Sequence, residues 1–173
     1  VTKQVRARQD LATFKAIHEA AAYGSLIFDL HGDILYLNNA YAALTGYARE
    51  ELVGCNMYQL IADCDQRSAR EMESVLRRDG CVPFWELKHL RRNETILDGL
   101  VSVTAVTEDD GRVLYYAANL IDISEKKKVE EELRQLNIEL ETRVMERTRE
   151  LAETRDRLLQ SEKQSALTQL LTG

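Results

Sequence analysis

Phe28-Asp29-Leu30-His31-Gly32-Asp33-Ile34-Leu35-Tyr36-Leu37-Asn38-Asn39-Ala40-Tyr41 is the stretch whose reading decides the fold. His31-Gly32-Asp33 is a turn of hairpin type between two short apolar runs, Ser25 to Leu30 and Ile34 to Leu37. Asn38-Asn39 then caps a helical stretch, Ala40 to Leu44, which Thr45-Gly46 closes. A strand pair runs straight into a capped helix, so the local order is hairpin, then helix.

Outward from that stretch the pattern continues. Arg49-Glu50-Glu51-Leu52-Val53-Gly54 is a short helical turn ending on glycine, and Asp65 to Arg78 is the longest helix of the region, with Met72, Val75 and Leu76 on its apolar side. Asp79-Gly80 stops it. Three strands are expected next: Phe84 to Leu90 with Pro83 at its start, Ile96 to Val106, and Val113 to Ile123. Arg92-Asn93-Glu94 and Glu108-Asp109-Asp110-Gly111 supply the turns between them. Two strands, a group of short helices and three strands on short turns describe an α+β domain with an antiparallel sheet. Upstream, Val1 to Ala22 lacks Gly and Pro and places Leu11, Phe14, Ile17 and Ala21 on one face, an amphipathic helix that would cover the sheet or pair with its copy.

After Asp122-Ile123-Ser124 the chain changes character. Glu125 to Thr172 contains no Gly or Pro and reads as one helix, spanning roughly 70 Å at ~1.5 Å per residue. Val129, Leu133, Leu136 and Leu140 repeat at steps of four and three, a coiled-coil seam. Val144 follows by four instead of three, a stutter that locally unwinds a supercoil, and Arg147, Leu151, Thr154, Leu158, Ser161 and Ser165 continue the alternation. An isolated helix of this length is marginal in water, so the seam predicts a parallel homodimer. Arg147, Thr154, Ser161 and Ser165 weaken its second half, which would hold two helix registers close in energy.

Composition excludes several classes. The 173 residues are 45% hydrophobic and 30% charged with a net charge of −6, and no basic stripe carries interleaved aromatics, so nucleic acid is not an expected partner. No run approaches ~18 apolar residues, so no membrane span is expected. Cys55, Cys64 and Cys81 have neither the number nor the spacing of a disulfide framework or zinc site, and read as small hydrophobes in a reducing, cytoplasmic setting. His18, His31 and His89 have no acidic or Cys cluster beside them and read as structural or solvated. No nucleophile–base pair and no phosphate loop appears. The first residue is not Met and both ends fall inside helical patterns, so a fragment of a longer protein is expected, one with room for a membrane segment elsewhere in its chain.

Taken in order, six pieces resemble the PAS family of sensor domains. They are Phe28 to Tyr41, Leu44-Thr45-Gly46-Tyr47, Arg49 to Gly54, Glu86-Leu87-Lys88-His89, Asp110-Gly111-Arg112-Val113 and Asp122-Ile123-Ser124. The resemblance covers residues 24–124 and implies a five-stranded sheet with helices over one face and, in many members, a ligand pocket between them. On the last strand Tyr116, Ala118 and Leu120 share the face that would turn to the helices and line such a pocket, while Tyr115, Ala117, Asn119 and Ile121 share the other. The ligand is unknown from sequence, and a filled core is the alternative. Flavin-photoreceptor members carry a reactive Cys in a Gly-x-Asn-Cys motif; here Gly54-Cys55-Asn56-Met57 puts Met57 in its place, which argues against adduct formation. Haem-binding members carry a His on the long helix, and Asp65 to Arg78 has none. One departure is Asn93-Glu94 where the family has Asp-Gly. Glu tolerates positive φ poorly, so a differently shaped turn is expected there.

The C-terminal run Ser161 to Gly173 resembles the opening of the dimerisation and phosphoacceptor helix of two-component sensor histidine kinases. That resemblance implies a division into helix 1–23, sensor 24–124, signalling coil 125–160 and the start of a kinase helix at 161–173. The acceptor His and ATP-binding domain, and contact with a response regulator, would lie beyond, so no enzyme is expected within the chain itself. Leu171-Thr172-Gly173 is also similar to the start of diguanylate cyclase domains, but Gln169 stands where those have Asp. Asp122, Ile123 and Ser124 are then the expected transmission point, with Asp122 as lock, because a carboxylate at a helix start accepts orphan N–H groups or pairs with a cation. A ligand-free dimerisation scaffold is the rival reading.

Overall fold

The architecture is that of a computed structural model, which describes residues 16–172. Residues 1–15 and 173 lie outside the description, so most of the expected N-terminal helix, with Leu11 and Phe14, is untouched by it; residues 16–20 are helical. Contacts divide the chain into two units at Lys127/Lys128.

In the first unit, period-two alternation of apolar and polar residues builds one antiparallel sheet. Its strands are β1 (Gly24–Phe28), β2 (Ile34–Leu37), β3 (Cys81–Leu90), β4 (Ile96–Thr107) and β5 (Val113–Asp122), in the order β2-β1-β5-β4-β3. The helices are α1 (Asn39–Thr45), α2 (Arg49–Leu52), α3 (Gln66–Asp79) and α4 (Ser124–Thr172), with tight 3-10 turns at Met57–Leu60 and Asp63–Asp65. Leu26 and Phe28 of β1, Val82 and Leu87 of β3, Leu97, Val101 and Val103 of β4, and Tyr116, Ala118 and Leu120 of β5 are buried together with Tyr41 of α1 and Ala69, Met72 and Leu76 of α3. Each large apolar side chain so buried contributes roughly 1.5–3 kcal/mol, so this shared core is what holds helices to sheet. Gly99 of β4 is part of the fit: a Cβ there would lie 2.5 Å from Leu120 Cδ1 and 3.1 Å from the Leu87 carbonyl oxygen.

Several local expectations are corrected. β3 begins at Cys81, and Pro83 lies inside it where the register with β4 slips between Val82 and Trp85. β3 is an edge strand, so a residue without an N–H is accommodated at that bulge. Leu30 is 43% exposed and belongs to the turn after β1, not to the strand. The cysteines are free but not core hydrophobes: Cys64 and Cys81 are exposed and Cys55 is half-buried, its thiol donating to the Glu51 carbonyl at 3.0 Å.

The turn between β3 and β4 also departs from expectation. Glu94 does adopt a left-handed backbone, φ 63°, and is the non-glycine residue that does so among those described. Asn93 makes this tolerable: its Oδ1 accepts the Thr95 amide at 3.2 Å and the Thr95 hydroxyl at 2.6 Å, closing the turn by side-chain hydrogen bonds. The left-handed region costs a side-chain-bearing residue roughly 1 kcal/mol. Glu94→Gly is therefore expected to raise the urea midpoint by an amount equivalent to about 0.5–1 kcal/mol, with the slope unchanged.

Candidate functional site

The end of β5 and the start of α4 form a junction built from charged and capping groups. Asp122 Oδ1 accepts the Ser124 amide at 2.9 Å, and Oδ2 accepts Arg91 Nη2 at 2.8 Å. Ser124 Oγ accepts the Asp98 amide at 3.0 Å, and the Ile123 amide donates to the Asp98 carbonyl at 2.9 Å. The three junction residues are thus bonded to the neighbouring strand β4 through Asp98 and to the β3–β4 turn through Arg91, and Asp122 satisfies one of the N–H groups that a helix start leaves open.

Lys127, one turn further on, adds a second tie. Its ammonium lies 2.6 Å from Glu86 Oε2 and 3.4 Å from Asp98 Oδ1, while Lys88 Nζ lies 2.9 Å from the same Asp98 oxygen. The hydrogen bond from Lys88, aided by Lys127 and opposed by burial, holds the Asp98 carboxyl below its ordinary range; Glu86 holds the Lys127 ammonium above its own. Lys88, Glu86, Asp98 and Lys127 come from three elements, and only the fold brings them together. Of the four, just Glu86 and Lys88 are close in sequence, and no motif joins them all into a site. Nothing local marks Lys127 among Lys126, Lys127 and Lys128. The Arg91 guanidinium is less well served: its Nη2 donates to Asp122, but its Nε is buried without a hydrogen-bond partner.

The space between helices and sheet is in two parts. A void of about 20 Å³, room for about one water, is bounded by Met57, Ala118, Leu120 and His89 among others. A surface cleft of about 240 Å³ opens beside Phe28, Gly32, Met57, Tyr58, Leu76 and Tyr116. Of the expected lining residues, Ala118 and Leu120 therefore face the small void and Tyr116 faces the cleft, where its ring lies 5.4 Å from that of Phe28.

At the cleft's edge Tyr58 donates its hydroxyl to Glu73 Oε2 at 2.6 Å, and Arg77 Nη2 lies 2.6 Å from Glu73 Oε1. That hydroxyl holds the Glu73 carboxyl low, and burial pushes the Tyr58 phenol up, so the bridge is a carboxylate held by a neutral phenol and a cation. Met57 is buried and touches both spaces, and its thioether has no S–H with which to form an adduct. His89 is 5% exposed, donates from Nδ1 to the Leu87 carbonyl at 3.3 Å, and is held neutral by burial, which lowers its pKa. It is a buried, bonded side chain.

The second unit contributes an apolar stripe. Val129, Leu133, Leu136, Leu140, Val144, Leu151 and Leu158 are all more than half exposed in the single chain. Ion pairs within the helix, Arg134–Glu131 at 2.7 Å, Arg143–Glu139 at 2.9 Å and Arg147–Glu150 at 2.9 Å, are exposed and screened by water, so each supports the helix only weakly, and none covers the stripe. Among the described residues there is no helix long and apolar enough to cross a membrane and no cluster that would hold a metal ion.

Comparison with known proteins places this geometry. The family described as PAS fold matches residues 12–123. The chain is 29% identical over 124 residues to the probable diguanylate cyclase DgcE of Escherichia coli (strain K12), covering 71% of this chain and 11% of that protein. It is 29% identical over 132 residues to the sensor histidine kinase TmoS of Ectopseudomonas mendocina, covering 75% of this chain and 13% of that protein. Sporulation kinase C of Bacillus subtilis (strain 168) is 28% identical over 123 residues, 70% of this chain and 28% of that one. Among solved structures, the PAS domain of a protein from Colwellia psychrerythraea superposes with a TM-score of 0.63 at 18% identity, covering 67% of this chain and 98% of that one. An RNA-binding light-oxygen-voltage receptor gives 0.66 at 22% identity over 73% of this chain and 37% of that one.

Proposed function

The chain belongs to the PAS family, and from that premise we propose that it is the sensory and signal-transmitting part of a two-component histidine kinase. It is the non-catalytic part, working in the cytoplasm as a parallel homodimer, and its kinase region addresses a response regulator. The observation that carries this reading is the Asp122–Lys127 junction: a helix with an uncovered apolar stripe starts from a strand that is bonded to the rest of the sheet through Asp98 and Arg91. A shift in the sheet moves those anchors, and the start of the helix moves with them. Two relatives bearing the names of kinases support the choice of output.

The candidate input is the cleft beside Phe28 and Tyr116, whose lining suits a small, largely apolar molecule with a polar group for the Tyr58–Glu73–Arg77 bridge. A diguanylate cyclase output is the second reading, favoured by the Escherichia coli relative. The full-length protein decides between them. Transfer of the ATP γ-phosphate to a histidine supports the kinase reading, whereas formation of cyclic diguanylate from GTP replaces it with the cyclase. A full-length protein that does neither removes both.

A further inference from the structure

We infer that the second half of the coil carries its own address code: four charged residues that make the helix pair with a second copy of itself, parallel and in register, and reject staggered alignments. The inference rests on the dimer reading above and deepens it.

In a parallel two-stranded coil, the residue just before one seam position faces, on the other helix, the residue five places further on. With Val144, Leu151 and Leu158 as one set of seam positions and Arg147 and Thr154 as the other, Glu150 and Arg157 precede the seam, and Arg155 and Glu162 lie five places beyond them. All four are exposed in the single chain. In register, Glu150 meets the partner's Arg155 and Arg157 meets the partner's Glu162, and symmetry doubles both. That gives four attractive contacts.

A slide of one heptad removes them. Seen from one helix, Glu150 then meets the partner's Glu162 and Arg143 meets the partner's Arg155. Seen from the other helix, in the same slide, Arg157 meets the partner's Arg155. Like charges replace every opposite pair that the slide breaks or leave it facing an uncharged group. Each facing pair, exposed and screened by water, is weak on its own. Their number matters because the seam there is polar at Arg147, Thr154 and Ser161, so apolar packing discriminates registers poorly. Arg147 is already held 2.9 Å from Glu150 within its own helix, which draws its charge out of the seam toward the same flank.

The test uses the 173-residue chain and two charge-swapped variants. One carries Glu150→Arg with Arg157→Glu, the other Arg155→Glu with Glu162→Arg; the second leaves the Arg147–Glu150 contact untouched. Each variant alone faces like charges at all four contacts, and its dimer dissociation constant is expected to rise at least about tenfold in low salt. Mixed, the two restore four opposite pairs, so native mass spectrometry with one of them isotope-labelled should show the mixed dimer well above its statistical share. The variant carrying all four substitutions should dimerise like the parent, which separates lost pairing from lost folding. Variants that dimerise as tightly as the parent, or mix statistically, overturn the inference while leaving the dimer intact. An antiparallel coil gives the former result, because swapping both residues of one flank preserves its flank-to-flank pairs. A parent chain that is monomeric overturns the dimer reading and the inference with it.

Discussion

Replacing Asn38 by Ala is expected to destabilise the first unit by about 3 kcal/mol, seen as a lower urea midpoint at unchanged slope. Asn38 is 0% exposed and uses its whole amide. Its Oδ1 accepts the Ser25 amide and the Tyr41 amide, both at 2.9 Å; its Nδ2 donates to the His18 carbonyl at 2.8 Å and the Tyr23 carbonyl at 3.1 Å. One side chain thus caps α1, ties it to β1 and fastens the chain that enters β1. Alanine removes a helix cap worth about 1 kcal/mol and leaves the buried Ser25 N–H without its acceptor, at roughly 1–3 kcal/mol more.

Asn38→Asp separates the two halves of that argument. The carboxylate keeps both accepted bonds but turns its second oxygen toward two carbonyl oxygens. Only the protonated acid can donate there, so burial and the carbonyls raise its folded pKa above the ordinary carboxylate value. A group whose folded pKa is raised is favoured below the unfolded pKa and penalised as pH rises through the folded one. The deficit of Asn38→Asp relative to the parent should therefore shrink from pH 7 toward pH 4. A deficit that grows instead would mean that Nδ2 is not the group that matters.

Much of this was legible in the sequence because local chemistry and global fold agree. Asn38 before an apolar helical stretch, glycines at the ends of α1 and α3, and alternation through β4 and β5 each specify backbone geometry within a few residues. Asn38 was readable as a cap, but its other three bonds were not, since their partners lie up to 20 residues away in the chain. Glu94 escaped for a different reason. Propensity argues against a left-handed Glu, and the Asn93 side chain outweighs it by closing the turn. Pro83 reads as a strand start because a paired ladder position needs an N–H; the bulge on an edge strand removes that need.

The junction was legible only as a place. Asp122-Ile123-Ser124 follows an alternating strand and precedes an unbroken helical run, so the change of element is fixed by the pattern. Which strands hold it is set by pairing: β4 lies against β5 with Gly99 opposite Asp122, and that register carries Asp98 to Ile123 and Ser124. The cleft was less legible still. Alternation put Tyr116, Ala118 and Leu120 on one face, but the division of the space above that face depends on how Met57, Met72 and Tyr58 fill it.

Asp122→Ala is expected to cost about 1–2 kcal/mol, nearer the lower figure because the Asp122 side chain is 30% exposed and its ion pair is partly screened. Hydrogen exchange locates the loss: the Ser124 amide gives up its acceptor and should exchange near the rate of an open helix end, while strand amides in β4 and β5 keep their protection. Arg91 then has neither Asp122 at Nη2 nor a partner at its buried Nε, so its side chain should leave the junction. Asp122→Asn keeps an acceptor for Ser124 and gives up the charge, and should restore the exchange protection but not the Arg91 contact. In the full-length protein, a changed basal output in Asp122→Ala with near-parental output in Asp122→Asn assigns transmission to the cap. A changed output in both assigns it to the Arg91 pair, and unchanged output in both leaves Asp122 an ordinary helix cap.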